Sequence, residues 1–465
     1  MEESGDIKVK KNKKQVDMCT RPLLGKIIWF SLPLIATGIL QLLYNAADII
    51  VVGQFSGHTA MAAVGSTGSL VNLVTNLFIG LSVGALSAMS RWIGAGEKEK
   101  ADKVVHTSIP VGLIGGIIVG VIGFFGAEFF LELMKTDANV IGQATLYLKI
   151  YFVGMPFSML YNFGAAILRA VGDTQRPLYF LLIAGVINVL LNLLFVIVFH
   201  MGVEGVAIPT VISQCVSATL VLLCLVKSDA VYRVNLKELH IYKEKLLQMI
   251  KIGVPAGIQS ATFSISNVLI QSSINSFGAL AMAGNTAASN IEGFVSTAQD
   301  AFSQAALSFT GQNVGAGQTK RVNRILPLCA ALVLGVGLAL GSGAYLLGNQ
   351  LLSIYSSDPE VIAFGMKRMA ICCVLQCVGG LMGVMVGTLR GMGYSFVPMA
   401  ITIGFVCGFR VIWIFTIFVQ WHTLESLYVS YPITWGLAAL CDLICFFFVR
   451  KHLTRKQRLA RERAK

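Results

Sequence analysis

The sequence predicts an all-α membrane protein, with twelve transmembrane helices in two six-helix lobes related by a parallel internal repeat. Three observations predict it. Charged residues make up only 13% of the 465 positions and apolar residues 55%, whereas a soluble chain is about 25% charged. The apolar residues gather into stretches of the length that crosses a bilayer as a helix, about 20 residues. The chain also matches itself at a constant offset of 221 residues.

In chain order the stretches lie at 28–51, 60–90, 104–126, 141–167, 178–199, 206–226, 252–275, 282–308, 325–347, 361–388, 399–419 and 429–449. Residues 181–199 do not alternate apolar with polar, as a membrane-barrel strand would, so these are helices. Residues 1–27 form a polar, Lys-rich tail. The first span is too long for a signal peptide and no small-residue cleavage site follows it, so it is expected to remain in the mature chain. Residues 28–226 then make an N-lobe, 227–251 a polar linker, 252–449 a C-lobe and 450–465 a basic tail.

The formal net charge is +13, from 36 Lys and Arg against 23 Asp and Glu. An excess of this size suggests nucleic acid until the charges are placed. With the N-terminus inside, 31 of the 36 basic residues fall in inside segments, as the positive-inside rule requires. Lys135, Lys149, Lys367 and Arg368 fall outside, and Arg410 lies within the eleventh span. Both termini are therefore expected in the cytoplasm, in a bacterial plasma membrane, and no nucleic-acid partner is expected. The ten cysteines show no zinc-type Cys/His spacing and read as small apolar residues with free thiols.

The repeat rests on several short matches. Ala60-Met61-Ala62 matches Ala281-Met282-Ala283, and Gly94-Ala95-Gly96 matches Gly315-Ala316-Gly317. Leu168-Arg169, Gly172 and Pro177 match Leu389-Arg390, Gly393 and Pro398, and Pro33 matches Pro255 after a one-residue slip. Six helices per repeat make both halves enter the membrane from the same side, a design of secondary transporters. Two lobes joined by a linker can rock about a central cleft, and the protein is expected to be a monomer.

Certain motifs resemble a known family. Pro33, Tyr44-Asn45-Ala46-Ala47-Asp48, Gly53 and Ala62-Ala63-Val64-Gly65 are similar to the first helix and loop of the multidrug and toxic compound extrusion family. Its inner loops are resembled by Gly94-Ala95-Gly96 and LRAVGDTQRP at 168–177, and its second half by GVPAGIQS at 253–260 and FTGQNVGAG at 309–317. The resemblance spans about residues 27–449. It implies efflux of small amphiphilic, often cationic, compounds by antiport with protons or sodium ions, with no cofactor beyond the coupling ion.

Four acids lie within spans: Asp48, Glu292, Asp300 and Asp442. Charge at membrane depth is costly and marks function. Asp48, where the family's first-helix acid falls, is the expected ion carrier, because desolvation opposes its charged form. Asn188 and Asn192, four apart on one face, join it with Thr210 as the ion-coupling set, as a proton site or as a sodium site. The family often has Asp where Asn192 stands, so Asp48 is here the set's lone acid.

Gln41, Tyr44 and Asn45 share the first helix with Asp48 and are expected to line the cleft. Glu292, Asp300 and Gln304 on the eighth span could face it as an anionic stripe, or the two acids could pair with Arg410. On the seventh span Gln259, Asn267 and Gln271 stand in for the C-lobe acids of some family members. Asp442, two turns before Arg450, is expected to snorkel to the inner surface. Pro33 is the candidate hinge. Three rivals are a lipid flippase, which needs a basic cavity, an intramembrane enzyme, for which no catalytic constellation is present, and a channel, which the two-lobe repeat disfavours.

Overall fold

A computed structural model describes residues 15–463 except Arg21 and Lys135. The first seven helices are α1 (Leu23–Phe55), α2 (Gly57–Gly94), α3 (Lys98–Leu133), α4 (Ile141–Val153), α5 (Met155–Ala170), α6 (Gln175–Leu193) and α7 (Glu204–Val226). The second group opens with α8 (Lys243–Asn275), α9 (Ala279–Gly315), α10 (Thr319–Leu346), α11 (Gly348–Ser353) and α12 (Pro359–Arg368). It closes with α13 (Gln376–Gly391), α14 (Phe396–Ile401), α15 (Phe409–Phe415), α16 (Ile417–Gln420) and α17 (Leu424–Arg463). Single π-helical turns follow α6 (Leu194–Val198), α12 (Met369–Cys373) and α14 (Thr402–Gly408).

Among the described residues nine helices are long and apolar enough to cross a membrane, and ten if the bent pair α4–α5 counts as one span. The bend is 46°. It falls where Pro156 lacks an N–H and its ring opposes the carbonyl four residues back. Both α8 and α9 are long, yet they are not among the helices that pass on apolarity. Their polar side chains turn inward: Gln259, Asn285, Glu292, Gln299 and Gln312 are all buried.

Helix breaks recur in register. Among the described residues the glycines with positive φ are Gly57, Gly96, Gly172, Gly278, Gly317 and Gly393. They form three pairs 221 residues apart, with φ of 87° and 93°, 72° and 69°, and 88° and 97°. Only glycine adopts this backbone without strain.

Both described chain ends lie at one end of the bundle. Cys19 approaches Gln312, and Gln457 bonds Thr319 and Val314. The halves are sealed there. A Cβ on Gly94 would run into the Gln312 carbonyl and one on Gly315 into that of Arg91; about 21 Å farther along α2, one on Gly80 would meet the backbone of Gly257. Phe30 of α1 packs edge-on against Phe309 of α9 at 5.7 Å. Ser87 Oγ donates to Arg390 O at 2.7 Å and Gln312 Nε2 to Ala170 O at 2.7 Å. The segment between α7 and α8 is fastened to α3: Asn235 N–H donates to His106 Nε2 and Tyr242 N–H to Thr107 Oγ1. Arg169 Nη1 also crosses between the halves to Gln304 Oε1, at 2.7 Å.

Candidate functional site

Asp48 is buried on α1, two turns before the helix ends, where α1 packs on α6. Its Oδ1 accepts from Asn192 Nδ2 at 2.5 Å, and Asn192 Nδ2 also reaches Asn188 Oδ1 at 3.2 Å. Asn188 Nδ2 donates to Thr210 Oγ1 at 3.3 Å. Thr210 Oγ1 lies 3.4 Å from Asp48 Oδ2 and 2.8 Å from Val206 O. The four residues expected to act together are thus in one hydrogen-bonded group. Helical spacing places the two amides on one face of α6, and the π turn starts two residues after Asn192. Such turns widen the backbone locally and often mark functional sites. Sequence reasoning missed Tyr147, close enough to Asp48 to interact electrostatically, and Tyr151, whose hydroxyl lies 3.4 Å from that of Thr75.

Gln41 and Asn45, also on α1, are exposed, and half-buried Tyr44 packs on Gly185 with its hydroxyl 3.5 Å from Leu182 O. Pro33 is buried within an unbroken α1, and Thr37 Oγ1 donates to its carbonyl at 2.7 Å.

The C-half acids do not form one stripe. Glu292 is buried against Arg368, with Oε2 2.8 Å from Nη2 and 3.1 Å from Nε. Arg368 Nη1 donates to Asn285 Oδ1 at 2.9 Å, and Asn285 Nδ2 to Gln271 Oε1 at 2.8 Å. Asp300 is exposed on the face of α9 that looks toward the N half. One turn before it, Thr297 meets Gly38; one turn after it, Gln304 meets Arg169.

The expected alternative of a pair with Arg410 is corrected. Arg410 is buried away from both acids, with Nε 3.2 Å from Thr434 Oγ1 and the guanidinium 4.1 Å from the Tyr431 ring centroid. Aromatic faces attract such a cation. The basic partner of Glu292 is Arg368, assigned from sequence to the outer side. Three further expectations change. Gln259 does not line an open cleft: it is buried, accepting from Arg390 Nη2 at 2.6 Å and donating to Thr402 Oγ1 at 2.8 Å. Gln271 is engaged with Asn285 and Asn275, while Asn267 is exposed. Asp442 does not snorkel; it is fully buried.

The MatE family profile matches residues 33–194 and 255–415. The chain is 29% identical over 382 residues to the probable multidrug resistance protein YpnP of Bacillus subtilis, covering 82% of this chain and 85% of that one. It is 22% identical over 438 residues to the multidrug export protein MepA of Staphylococcus aureus, covering 93% and 95%. A solved MOP superfamily transporter from Pyrococcus furiosus superposes with a TM-score of 0.88 at 22% identity, over 96% of this chain and 99% of that one. With the profile spanning most of both halves, the chain belongs to the MatE family, and it is a multi-pass membrane transporter of the multidrug-efflux kind and no enzyme.

Proposed function

We propose that this protein is a secondary active exporter that exchanges inward-moving protons for amphiphilic cations by alternating access. The observation that carries the reading is the hydrogen-bond count at Asp48. The Thr210 hydroxyl has one proton, and Val206 O at 2.8 Å takes it. Its oxygen can still accept twice, from Asn188 Nδ2 and from a protonated Asp48 carboxyl at 3.4 Å. Both Asp48 carboxyl oxygens and the Thr210 hydroxyl are paired when that carboxyl is neutral, and Asn192 Oδ1 is left buried without a partner among the described residues. Asn192 turns a donor, not an oxygen, toward the carboxyl, which suits a proton better than a sodium ion.

In this reading twelve helices form two lobes related by the parallel repeat, which the paired glycines of positive φ support. Both termini face the cytoplasm of a bacterial plasma membrane, and the protein acts as a monomer. The seal at the terminal end closes the inner side, so the cleft opens outward. Asp300 gives that cleft an exposed anionic group, while Arg368 and Arg410 are buried and engaged. This favours a cationic cargo over the anionic headgroup a flippase would carry. Gln41, Asn45 and Asn267 add exposed polar contacts, and Pro33 is the hinge of α1. Proton binding at Asp48 from outside then favours release of the cargo and return to the inward-open state.

One charge crossing 100 mV contributes about 2.3 kcal/mol, and a tenfold gradient costs about 1.4 kcal/mol. The test is dye efflux from reconstituted vesicles under an imposed pH gradient or an imposed sodium gradient. The pH gradient alone is expected to drive export by the wild type, and Asp48→Asn to abolish it while still reaching the membrane. Full export by Asp48→Asn sinks the assignment, and drive by sodium alone sinks the proton.

A further inference from the structure

The C half holds a second buried acid that the scheme above leaves unused. Asp442 on α17 has no exposed surface, and both its carboxylate oxygens are buried without a hydrogen-bond partner among the described residues. Across from it stands Arg390, at the end of α13, near enough for the two charges to interact. Arg390 Nε is likewise buried and unpaired, while Nη2 continues through Gln259 to Thr402. These residues come from four elements, α8, α13, α17 and the π turn after α14, and make a buried polar compartment of the C half only in the sense of a chain from Asp442 past Arg390 to Gln259 and Thr402.

The corresponding positions of the N half do not repeat the pair. The position 221 residues before Asp442 is buried Val221, and Arg169, the mate of Arg390, reaches across the interface to Gln304. The nearest other basic residues on either side of Asp442 along α17 are engaged elsewhere. Arg410 bonds Thr434, two turns from Asp442 in one direction, and Arg450 bonds Asn323, two turns away in the other. At this level α10 presents buried Leu326, Cys329 and Val333. A buried carboxylate with no hydrogen-bond donor among the described residues, and only the Arg390 charge across from it, is costly in such surroundings, and a bound proton removes the charge.

The compartment also touches the seal. The Arg390 carbonyl accepts from Ser87 Oγ of the N half, and Gly391 packs against Leu307 and Thr310. Parting the halves at the terminal end breaks the Ser87 contact and admits water beside Arg390. We propose that Asp442, with Arg390, Gln259 and Thr402, is a second proton-binding site, discharged to the terminal side when the seal opens. This rests on the proton-antiport reading. Two protons then enter for each monocation that leaves, and one net positive charge moves inward per cycle.

The experiment measures the steady-state gradient of a monocationic dye in vesicles at fixed pH gradient while a potassium diffusion potential is varied. For one net charge the wild-type gradient is expected to change tenfold for each 59 mV or so. Asp442→Asn is expected to keep export driven by the pH gradient and lose the response to potential, and Asp442→Glu to regain it. An Asp442→Asn protein that responds like the wild type overturns the proposal and leaves Asp48 untouched. If no Asp442 variant folds, the wild type alone decides, because a gradient indifferent to potential means a single proton and overturns it too. Loss of all export driven by pH in the wild type instead overturns the antiport reading itself.

Discussion

Replacing Arg368 with Met should destabilise the protein far more than replacing both members of its ion pair. The Arg368 guanidinium makes two bonds to Glu292 Oε2 and one to Asn285, and it lies 5.4 Å and 5.7 Å from the rings of Tyr431 and Tyr428. Both side chains are about nine-tenths buried. Arg368→Met leaves Glu292 charged, buried and unpaired, a loss of about 3–5 kcal/mol. Glu292→Gln leaves Arg368 its Asn285 bond and both rings, so it should cost less. Arg368→Met with Glu292→Gln removes both charges and should recover most of the loss, as buried pairs often do when neutralised together. At roughly 2–4 °C per kcal/mol for a unit the size of one half, the single Arg368 variant should melt on the order of 6–20 °C low. Thermal stability in detergent, read by the fraction remaining monodisperse, orders the three variants. An Arg368→Met protein as stable as the wild type, or a double variant no better than the single, refutes the reasoning.

Two more expectations concern transport. Thr210→Val removes the oxygen that accepts from Asn188 and faces Asp48; at about 1 kcal/mol for one hydrogen bond, coupled dye export should fall about fivefold, and Thr210→Ser should retain it. Gly94→Leu puts a side chain into the Gln312 carbonyl at the seal, so export should be lost. In a cysteine-free background, a thiol introduced at Ser87 should label faster from the terminal side in that variant than in its Gly94 parent; equal labelling counts against the seal.

The N-half site was legible because its signals are local. A lone acid in an apolar helix and two amides four apart need no tertiary information to stand out, and the structure joins them to Thr210. The C half was less legible because its polar groups are paired over long range. Arg368 follows Lys367 near the start of an apolar stretch and reads as an outer-side charge; only the packing of α12 on α9 turns it onto Glu292. Asp442 lies close enough to Arg450 to suggest an interfacial acid, but the face of α17 that carries it is turned inward toward α13. The polar residues that keep α8 and α9 from standing out by apolarity are those that pair in the interior.

The seal at the terminal end closes largely backbone on backbone, through Gly94 and Gln312 and through Gly315 and Arg91, and α2 stays on α8 through Gly80 and Gly257 farther along. A closure of that kind holds no side-chain code for what passes it. Its tolerance to change is therefore concentrated: a few glycine positions admit almost nothing, while exposed positions such as Gln41, Asn45 and Asn267, proposed above as cleft contacts, can vary without disturbing it. If the proposed cleft sets the cargo, then cargo range and barrier integrity are written at separate addresses in the chain, and the first can drift without leaking through the second.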